Sequence, residues 1–351
     1  MKVRFDDFKI VPVIDSIRKE EINDATYFSK PYSKYISNSR LKCIDPNEGG
    51  SWEEFCNPSH ISTSSLNIGS AVHEVLLQPE SFEIAPKMGK PSAKLGAVID
   101  EVYKLRQDGY SIYDAIKAAS NNVDYFKNTI DKKIPFVIEK GLEYYKKLHE
   151  PRWVCSEKEQ IMLCDKDWDI VNACLESCYN NKQIMNYLHP TDIWGDPIES
   201  YCEDALFMDF LVVYKGKKCE TLPFKLKIDN WTIDPENKIV TLNDLKTTGK
   251  AVEKFMHPEW GSFAHYHYFR QMYVYGLVLW YYCQQKYGVS KQAGWKMDFN
   301  ILAVQTLPDY TSQRFNISRD WLKKGQIEFE MLMKRVAAYR MFGEKGPIDF
   351  A

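Results

Sequence analysis

The spacing of hydrophobic residues predicts helices in the first half of the chain. Apolar positions recur at three- and four-residue intervals in "AVIDEVYKLRQ" (97–107), in "PFVIEKGLEYYKKLHE" (135–150) and in "KDWDIVNACLESCYNNKQIMN" (166–186). This spacing places them on one helix face. A further helix is expected after the Ser and Thr residues of "STSSLNIGSAVHEVLLQPESF" (62–82), with Pro79 at its end. Residues 1–60 carry many Pro, Gly, Asn and Ser residues and are expected to be irregular.

The pattern changes near residue 190, where strands are expected. Alternating runs occur in "ESYCEDALFMDFLVVY" (199–214), "LPFKLKIDNWTID" (222–234) and "NKIVTLNDLKTT" (237–248), and turn residues separate them. Helical spacing returns in 264–288 and in 318–342, with a further expected strand in "FNILAVQTL" (299–307).

This order of elements predicts an α/β (α+β) core, a central mixed sheet flanked by helices with a helical N-terminal elaboration. We expect three segments in one compact unit. Residues 1–60 would pack on the core, 61–190 would be helical, and 191–351 would form the core itself.

Composition indicates a globular protein without a bulk positive charge. The chain has 351 residues, 44% of them hydrophobic, and a formal net charge of −2. Binding to nucleic acid would therefore need a local basic surface. The nine cysteines include no CxxC pair. This odd number predicts reduced thiols and disfavours a disulfide framework or an iron–sulfur site.

No segment predicts export or membrane insertion. The N-terminal "MKVRFDDFKIVPVID" has neither a long apolar core nor a small-residue cleavage site. The most apolar run, "QMYVYGLVLWYYC" (271–283), has about 13 residues, too few to span a bilayer. We therefore expect no membrane association and a cytoplasmic location.

The candidate chemistry centres on "VTLNDLKTTGKAV" (240–252). In a strand, Asp244 and Lys246 lie on one face. A hairpin through "NWTIDPENKIVTLN" (230–243) would bring Asp229 close to Asp244. Two adjacent carboxylates repel, and a hard divalent cation such as Mg²⁺ relieves that repulsion. Lys246 could then orient or deprotonate a water, or neutralise charge on a phosphate. An ordinary cross-strand ion pair would give the same spacing.

Two neighbouring features add to the metal hypothesis. Gln271 and Tyr275 are four residues apart on a predicted helix, and therefore share one face. His73 lies among apolar positions of an earlier helix, where it is either a core residue or a metal ligand.

These motifs together resemble the PD-(D/E)XK nuclease superfamily. The closest resemblance is to the phage and prophage exonuclease VIII branch, related to RecB-type nuclease domains. Its G-x-x-x-H and L-L-x-P elements match Gly69, His73, Leu76, Leu77 and Pro79. Its I-D strand end, D-x-K-T-T strand and Q-x-x-x-Y helix match Ile228–Asp229, Asp244–Thr248 and Gln271/Tyr275.

The resemblance implies a restriction-endonuclease-like core and a role for each matched residue. His73, Asp229, Asp244 and the Leu245 carbonyl would hold Mg²⁺, for which Mn²⁺ is expected to substitute. Lys246 would act on the attacking water, and Gln271 and Tyr275 would hold the phosphate or support the lysine. A further acidic ligand is expected from "PIESYCEDAL" (197–206), with Glu203 preferred over Glu199.

Basic residues supply candidate DNA contacts, because phosphate binding needs local positive charge. The candidates are Lys90 and Lys94 in "APKMGKPSAKLG" (85–96), Lys225 and Lys227 before Asp229, and Arg270 on the helix of Gln271. Lysine clusters are more often solvated loops. The tyrosines of "HYHYFRQMYVYG" (265–276) could stack on nucleobases, although core packing is the commoner role at helical spacing.

The predicted function is a Mg²⁺-dependent DNA exonuclease of phage or mobile-element origin. It would degrade one strand of linear duplex DNA from its end in recombination or repair. Double-stranded DNA ends, a single-strand annealing protein and further copies of the chain are the partners that the resemblance implies. Three alternatives are weighed: a helicase-associated nuclease with the same core, whose iron–sulfur cysteine cluster is missing here, a structure-specific or non-specific endonuclease on the same fold, and a catalytically idle DNA-binding or assembly protein.

Overall fold

The computed structural model describes residues 3–58, 64–79, 90–91, 93–149, 165–344 and 348–349. The chain divides into two compact units. Residues 1–59, 181–305 and 311–351 form the first, here called the sheet unit. Residues 60–180 and 306–310 form the second, here called the helical unit. The described cysteines form no disulfide bonds among themselves.

The sheet unit is built on a six-stranded sheet with the order β2-β3-β4-β5-β6-β7. These strands span Phe8–Glu20, Glu199–Tyr214, Lys217–Asp234, Ile239–Thr248, Lys296–Gln305 and Ser312–Asn316. β5 and β6 run parallel, and the other neighbours are antiparallel. A separate two-stranded parallel sheet joins β1 (Val3–Arg4) to β8 (Ile348–Asp349). The mixed sheet flanked by helices confirms the predicted fold class.

Two long helices cover the sheet and complete its core. The helices of this unit are α1 (Asp24–Tyr27), α2 (Asn38–Lys42), α3 (Trp52–Cys56), α9 (Lys182–Leu188), α10 (Ser262–His265), α11 (Tyr268–Tyr287) and α12 (Arg319–Phe342). α11 is the crossover between the parallel strands β5 and β6, a connection that parallel pairing requires. Its buried Phe269, Met272 and Val278 join Phe224 of β4 and Phe329 of α12 in one core.

The helical unit contains α4 (Ser64–Leu77), α5 (Ala93–Gln107), α6 (Ile112–Asn122), α7 (Ile130–His149) and α8 (Asp165–Asn180). Val98, Val102, Ile116, Val137 and Tyr144 are buried in its core. Val98 and Val102 of α5 are one helical turn apart, and Val137 and Tyr144 of α7 are two turns apart, the pattern that predicted these two helices. No helix in the described ranges is long and apolar enough to cross a membrane.

Three elements differ from the sequence expectation. Phe8–Glu20 is a strand, β2, although residues 1–60 were expected to be irregular. Pro12 obscured it, and β2 tolerates Pro12 because it lies at the sheet edge. The single helix expected over 166–186 is broken at Asn181, whose side chain caps α9 by accepting from the Gln183 amide at 3.0 Å. The short edge strand β7 was not predicted.

Candidate active site

The two aspartates predicted to face each other lie where β4 and β5 separate. The antiparallel pairing ends at Asn230 and Asn243, and Asp229 and Asp244 are the next residues beyond that pair. The Leu245 amide, which has no β4 backbone partner in this pairing, donates instead to Asp229 Oδ2 at 2.8 Å. The hairpin therefore brings both carboxylates together, as the sequence predicted.

Asp244 is a buried carboxylate held between Gln271 and Lys246. The residue is 1% exposed, and its Oδ1 accepts a hydrogen bond from Gln271 Nε2 at 2.7 Å. Its Oδ2 lies 2.7 Å from Lys246 Nζ and forms an ion pair with it. Burial, and then the charge of Asp229, raise the pKa of Asp244 to about 7, against the opposing effect of Lys246.

Lys246 places its ammonium beside both carboxylates. Nζ lies 3.7 Å from Asp229 Oδ2, and it donates to the Leu245 carbonyl at 3.1 Å. Burial opposes the charged form, but the charges of Asp244 and Asp229 outweigh burial and raise the pKa of Lys246. The side chain is therefore an ammonium at neutral pH and is the cation that balances the aspartate pair in this structure.

Glu203 is the acidic neighbour of Asp229 on β3. The flanking pairs Cys202–Asn230 and Asp204–Ile228 place Glu203 opposite Asp229, and its φ of +57° marks a local distortion of the strand. The Glu203 and Asp229 carboxylates lie within 4.8 Å of each other. Burial, and then the charge of Asp229, raise the pKa of Glu203 to about 7, against the opposing charge of Lys227.

Glu199, the other acidic candidate, lies at the exposed start of β3, where Tyr201 donates a hydrogen bond to it. It is four residues from Glu203 along the same strand. Glu203 therefore fits the predicted acidic position better than Glu199.

Helix α11 supplies the remaining side chains of the aspartate site. Gln271 orients Asp244 through the hydrogen bond already described, and Tyr275 lies one turn further along, half-buried. Burial raises the pKa of Tyr275 well above its ordinary value, and the charges of Asp244 and Asp229 add to that effect. The sequence reasoning gave Tyr268 no place in the aspartate site and counted it only among the tyrosines that could stack on nucleobases, whereas its ring centroid is 5.3 Å from Lys246 Nζ. Its signal was the spacing of three residues to Gln271, which places both on one helix face.

The donors at this site fit a hard divalent cation. Two aspartate carboxylates, the Leu245 carbonyl and the Glu203 carboxylate are oxygen ligands of the kind that Mg²⁺ prefers. Asp244 Oδ2 is buried and faces the Lys246 ammonium, and a divalent cation that bound this oxygen would compete with that ammonium.

His73, the predicted histidine ligand, lies half-buried on α4 in the helical unit. The neighbouring Val72 and Leu76 of the same helix are buried. Its role as a ligand stays a prediction from the sequence motif.

Arg270 does not fit the DNA-contact role predicted for it. Its side chain is 1% exposed, and Nη1 binds Asp45 at 2.8 Å and Glu328 at 2.6 Å. Nη2 lies 3.3 Å from Glu48, and Nε donates to Asn38 at 3.0 Å. The guanidinium is thus buried among carboxylates and fixes the start of α11 to α2 and α12. Arg270 therefore lies on a different face of α11 from Gln271 and Tyr275, and that face is buried.

Lys225 and Lys227 also bind other groups in the protein. Lys225 is 7% exposed, donates to the Tyr27 carbonyl at 2.6 Å and lies 4.1 Å from the centre of that ring. Burial lowers its pKa to about 8. Lys227 bridges Asp24 and Glu203, the latter at 2.5 Å. Lys225 is thus withheld from phosphate, whereas Lys227 supports the acidic candidate.

The two lysines predicted from segment 85–96 differ in exposure. Lys90 is 7% exposed and binds Asp100 at 2.5 Å, so it does not present its charge to DNA in this structure. The Lys94 side chain is 55% exposed and donates to the Asp124 carbonyl at 2.9 Å. Residues 85–89 of the segment lie outside the described ranges.

A row of asparagines beside the aspartates was also missed. Asn230, Asn243, Asn300 and Asn316 are register partners across β4, β5, β6 and β7. Asn243 donates to Asn230 at 2.7 Å, and Asn300 donates to Asn243 at 3.1 Å. The sequence carried no conspicuous signal of this row, because each of the four strands contributes one neutral asparagine. The row fixes the register that brings Asp229 opposite Asp244, because a slip of one residue would turn every side chain to the other face.

Comparison with known proteins gives the family. Residues 47–348 match the model of a PDDEXK-like domain of unknown function, DUF3799. Among solved structures, the chain is similar to a protein named "Putative exonuclease" from Eubacterium rectale, with 13% identity and a TM-score of 0.43, over 92% of this chain and 87% of that one. No curated protein matches the sequence. The match over most of the chain shows that this protein belongs to the PDDEXK-like family, which confirms the predicted superfamily.

Proposed function

We propose that the protein is a divalent-metal-dependent deoxyribonuclease that degrades linear duplex DNA from its ends. The observation that carries this proposal is the aspartate site, where the buried Asp244 carboxylate lies beside Asp229 and Lys246. Membership of the PDDEXK-like family supports hydrolysis of a phosphodiester. The resemblance of the sequence motifs to the exonuclease VIII branch favours attack at an end.

In this proposal, Asp229, Asp244 and the Leu245 carbonyl hold Mg²⁺ or Mn²⁺, with His73 and Glu203 as further ligands. The bound ion supplies a Lewis acid that polarises the phosphodiester and lowers the pKa of a water. Gln271 keeps Asp244 in the orientation that its 2.7 Å hydrogen bond defines. Tyr275, on the same face of α11 as Gln271, would hold the phosphate or support Lys246.

Lys246 acts as a cation in this proposal. Its raised pKa keeps the ammonium charged at neutral pH, so it donates hydrogen bonds and stabilises negative charge developing on the phosphate. Removal of a proton from the water by Lys246 would first require loss of that charge. Orientation of the water by the ammonium is the role that fits the structure.

The Asp24–Lys227–Glu203 bridge positions the acidic neighbour of Asp229. Glu203 can approach Asp229 because Lys227 offsets part of the repulsion between the two carboxylates. A homo-oligomer, a single-strand annealing partner, a phage origin and a role in recombination or repair remain predictions from the sequence resemblance.

Digestion of end-labelled linear duplex, with and without Mg²⁺, tests the proposal. A covalently closed circle and the Asp244→Ala variant are assayed beside it, and Mn²⁺ replaces Mg²⁺ in a parallel series. We expect loss of the linear substrate alone, only with metal and only with Asp244 present. Nicking of the closed circle would instead indicate an endonuclease, and metal-independent binding without cleavage would indicate the idle DNA-binding alternative.

A further inference from the structure

An aromatic path leads from Lys246 to the protein surface. The ring centroid of Tyr268 lies 5.3 Å from Lys246 Nζ, and the Tyr266 centroid lies 5.7 Å from that of Tyr268. Tyr266 is 43% exposed, whereas Tyr268 is half-buried. Behind Tyr268, the buried Phe255 stacks nearly parallel to it at 6.1 Å. The path thus ends in an exposed ring two aromatic side chains from the catalytic ammonium.

The backbone that carries these rings is held firmly. Tyr266 ends the one-turn helix α10, its amide donating to the Ser262 carbonyl at 3.0 Å, and Tyr268 begins α11. Between them, His267 has a φ of +53°, a conformation that persists only where the surroundings impose it. Glu328 holds His267 in this conformation, since its carboxylate lies 2.8 Å from His267 Nδ1. The same carboxylate pairs with the buried Arg270 at 2.6 Å.

The exposure of Tyr266 is not explained by core packing. A ring at a helix junction could bury its faces against the adjoining helices, as Phe263 and Phe269 do on either side. Tyr266 instead contacts His265 and Tyr268, at ring-centroid distances of 4.7 and 5.7 Å, and keeps much of its surface in solvent. Lys42 Nζ lies 5.7 Å from its ring centre and is paired with Glu48 at 3.2 Å. We therefore assign Lys42 no phosphate contact.

A nucleobase matches this surface in shape and chemistry. Proteins that hold single strands commonly stack successive bases on aromatic side chains, a contact that any base can make through its π-face. A base inside a duplex is already stacked on both sides, so the ligand must be an unpaired nucleotide. We propose that Tyr266, backed by Tyr268, is a stacking subsite for an unpaired nucleotide next to the scissile phosphate. This proposal rests on the nuclease function proposed above.

The first test measures binding without cleavage. A fluorescein-labelled single-stranded oligonucleotide is titrated with protein in the Asp244→Ala background, and its anisotropy is recorded. Adding Tyr266→Ala should weaken binding about ten-fold, the usual cost of losing one stacked base. Tyr266→Phe keeps the ring and should bind within about two-fold of its parent. Tyr113→Ala, a 58% exposed tyrosine of α6, is the matched control and should leave binding unchanged.

An abasic scan separates stacking from a general effect on binding. A single abasic nucleotide is moved along the labelled strand, and each substrate is tested with Tyr266 and with Tyr266→Ala. At one position the abasic nucleotide should weaken binding about ten-fold for the protein that carries Tyr266. For the Tyr266→Ala variant, the same abasic nucleotide should weaken binding no further. An equal effect of Tyr266→Ala at every position, or no effect at all, would overturn the stacking subsite.

The same measurements distinguish failure of this subsite from failure of the proposed function. If the wild-type protein cuts linear duplex with Mg²⁺ but the abasic scan shows no coupling, the subsite alone is wrong. If the wild-type protein neither cuts nor binds DNA, both the nuclease function and the subsite are wrong. A Tyr266→Phe variant that loses binding as severely as Tyr266→Ala would also contradict stacking, since its ring is retained.

Discussion

Two neighbouring polar groups on β4 and β5 are organised in opposite ways. The asparagine row uses Asn230 and Asn243, and the aspartate site uses Asp229 and Asp244, one residue away on each strand. Successive residues of a strand point to opposite faces, so the two groups lie on the two sides of the sheet. Both are buried or nearly so, and both interrupt apolar strands.

The asparagine row satisfies its own hydrogen bonds. Asn243 donates to Asn230 and to the Tyr187 carbonyl at 2.8 Å, and accepts from Asn300. Arg314 donates to Asn300 at 2.9 Å and closes the row at β7. A fully satisfied buried network of neutral amides fixes one arrangement of the strands. Its chemistry is complete without a ligand.

The aspartate site is built from charged groups instead. It concentrates two carboxyl groups around one ammonium, and Asp244 is buried there. Burial raises the pKa of Asp244 to about 7, so the metal-free carboxylate is held in an unfavourable environment. Local departures of this kind concentrate where a protein binds or reacts. The amides therefore fix the register of the strands, whereas the carboxylates are the groups suited to bind a ligand.

The largest expected effect is that of Asp244→Asn. The amide keeps the shape of the side chain but removes the negative charge that holds a cation. The cleavage rate should fall about a thousand-fold or more, because a bound metal ion contributes several kcal/mol to transition-state stabilisation. The rise in melting temperature on adding Mg²⁺ should disappear with it.

Asp204→Asn is the matched control for Asp244→Asn. Asp204 is also a buried carboxylate of the sheet unit, and it accepts from Trp231 Nε1 at 2.9 Å and pairs with Lys19 at 2.7 Å. The same substitution there should lower stability and keep the Mg²⁺-induced shift. If both variants kept that shift, Asp244 would not be a metal ligand.

Lys246→Met should separate catalysis from metal binding. Cleavage should fall about 100-fold, because the ammonium that stabilises charge on the phosphate is gone. Metal binding should be kept or tightened, because the ammonium 2.7 Å from Asp244 Oδ2 no longer competes for the carboxylates. Cleavage is followed by single-turnover kinetics and metal binding by thermal shift.

Lys238→Met provides the control for Lys246→Met. Lys238 lies at the turn between β4 and β5 and donates to the Ala293 carbonyl at 2.9 Å. Its loss should change neither cleavage nor metal binding. A Lys246→Met variant that cut DNA at the wild-type rate would remove the lysine from the proposed chemistry.

Asn243→Ala should lower stability and leave the response to Mg²⁺ unchanged, the opposite of what we expect for Asp244→Asn. Removing the central amide leaves Asn230 Oδ1 and Asn300 Nδ2 buried without their partner, which costs about 1–3 kcal/mol of unfolding free energy. The folded fraction should still respond to Mg²⁺. Urea unfolding with and without Mg²⁺ measures both quantities.

Asn316→Ala is the control at the exposed end of the same row. Its amide makes long hydrogen bonds, 3.3 Å to the Phe299 carbonyl and 3.4 Å to Asn300, and surface substitutions usually change stability by less than about 0.5 kcal/mol. An equal loss from both variants would show that burial of the row is not what makes it stabilising.

The sequence predicted the aspartate site better than the asparagine row because charge in a strand is conspicuous. Alternation alone placed Asp244 and Lys246 on one face, and the hairpin "DPEN" brought Asp229 opposite. A single asparagine within an apolar strand gives no such signal. The partners of Asn243 on β6 and β7, Asn300 and Asn316, lie 57 and 73 residues further along the chain. Only the order of the strands in the sheet brings these residues together.

Burial sets three of the predicted DNA contacts apart from the others. Arg270, Lys225 and Lys90 have the charge that DNA binding needs, but each is buried with a partner in the protein, and for Arg270 and Lys225 that partner lies far away in sequence. Asp45 is 225 residues from Arg270, and no local pattern encodes that pairing. Likewise, Pro12 argued against a strand because its tolerance depends on β2 being at the edge, which only the tertiary structure decides.

The smallest expected effect is a pH dependence of stability in the metal-free protein. Burial raises the pKa values of Asp244 and Glu203 to about 7 in the folded state, from ordinary values of 3.8 and 4.5. Between about pH 4 and pH 7 the folded state therefore keeps protons that the unfolded chain has lost. Stability from these groups is fully present below about pH 4, falls as the pH rises, and levels off above about pH 7. Lys246 adds no slope in this window, because its pKa is raised from 10.5 and it stays charged in both states.

Melting temperatures in EDTA at pH 5 and pH 8 measure this slope, and the Asp244→Asn/Glu203→Gln double variant isolates its source. The wild-type protein should lose a few degrees more than the double variant between the two pH values. Adding Mg²⁺ should raise the wild-type melting temperature more at pH 8 than at pH 5, because the cation binds the ionised carboxylates and competes with protons at the lower pH. The double variant should show neither effect. Equal slopes for the two proteins would mean that these carboxylates are already ionised at pH 5, and that the charge of Lys246 is enough to offset the burial of Asp244.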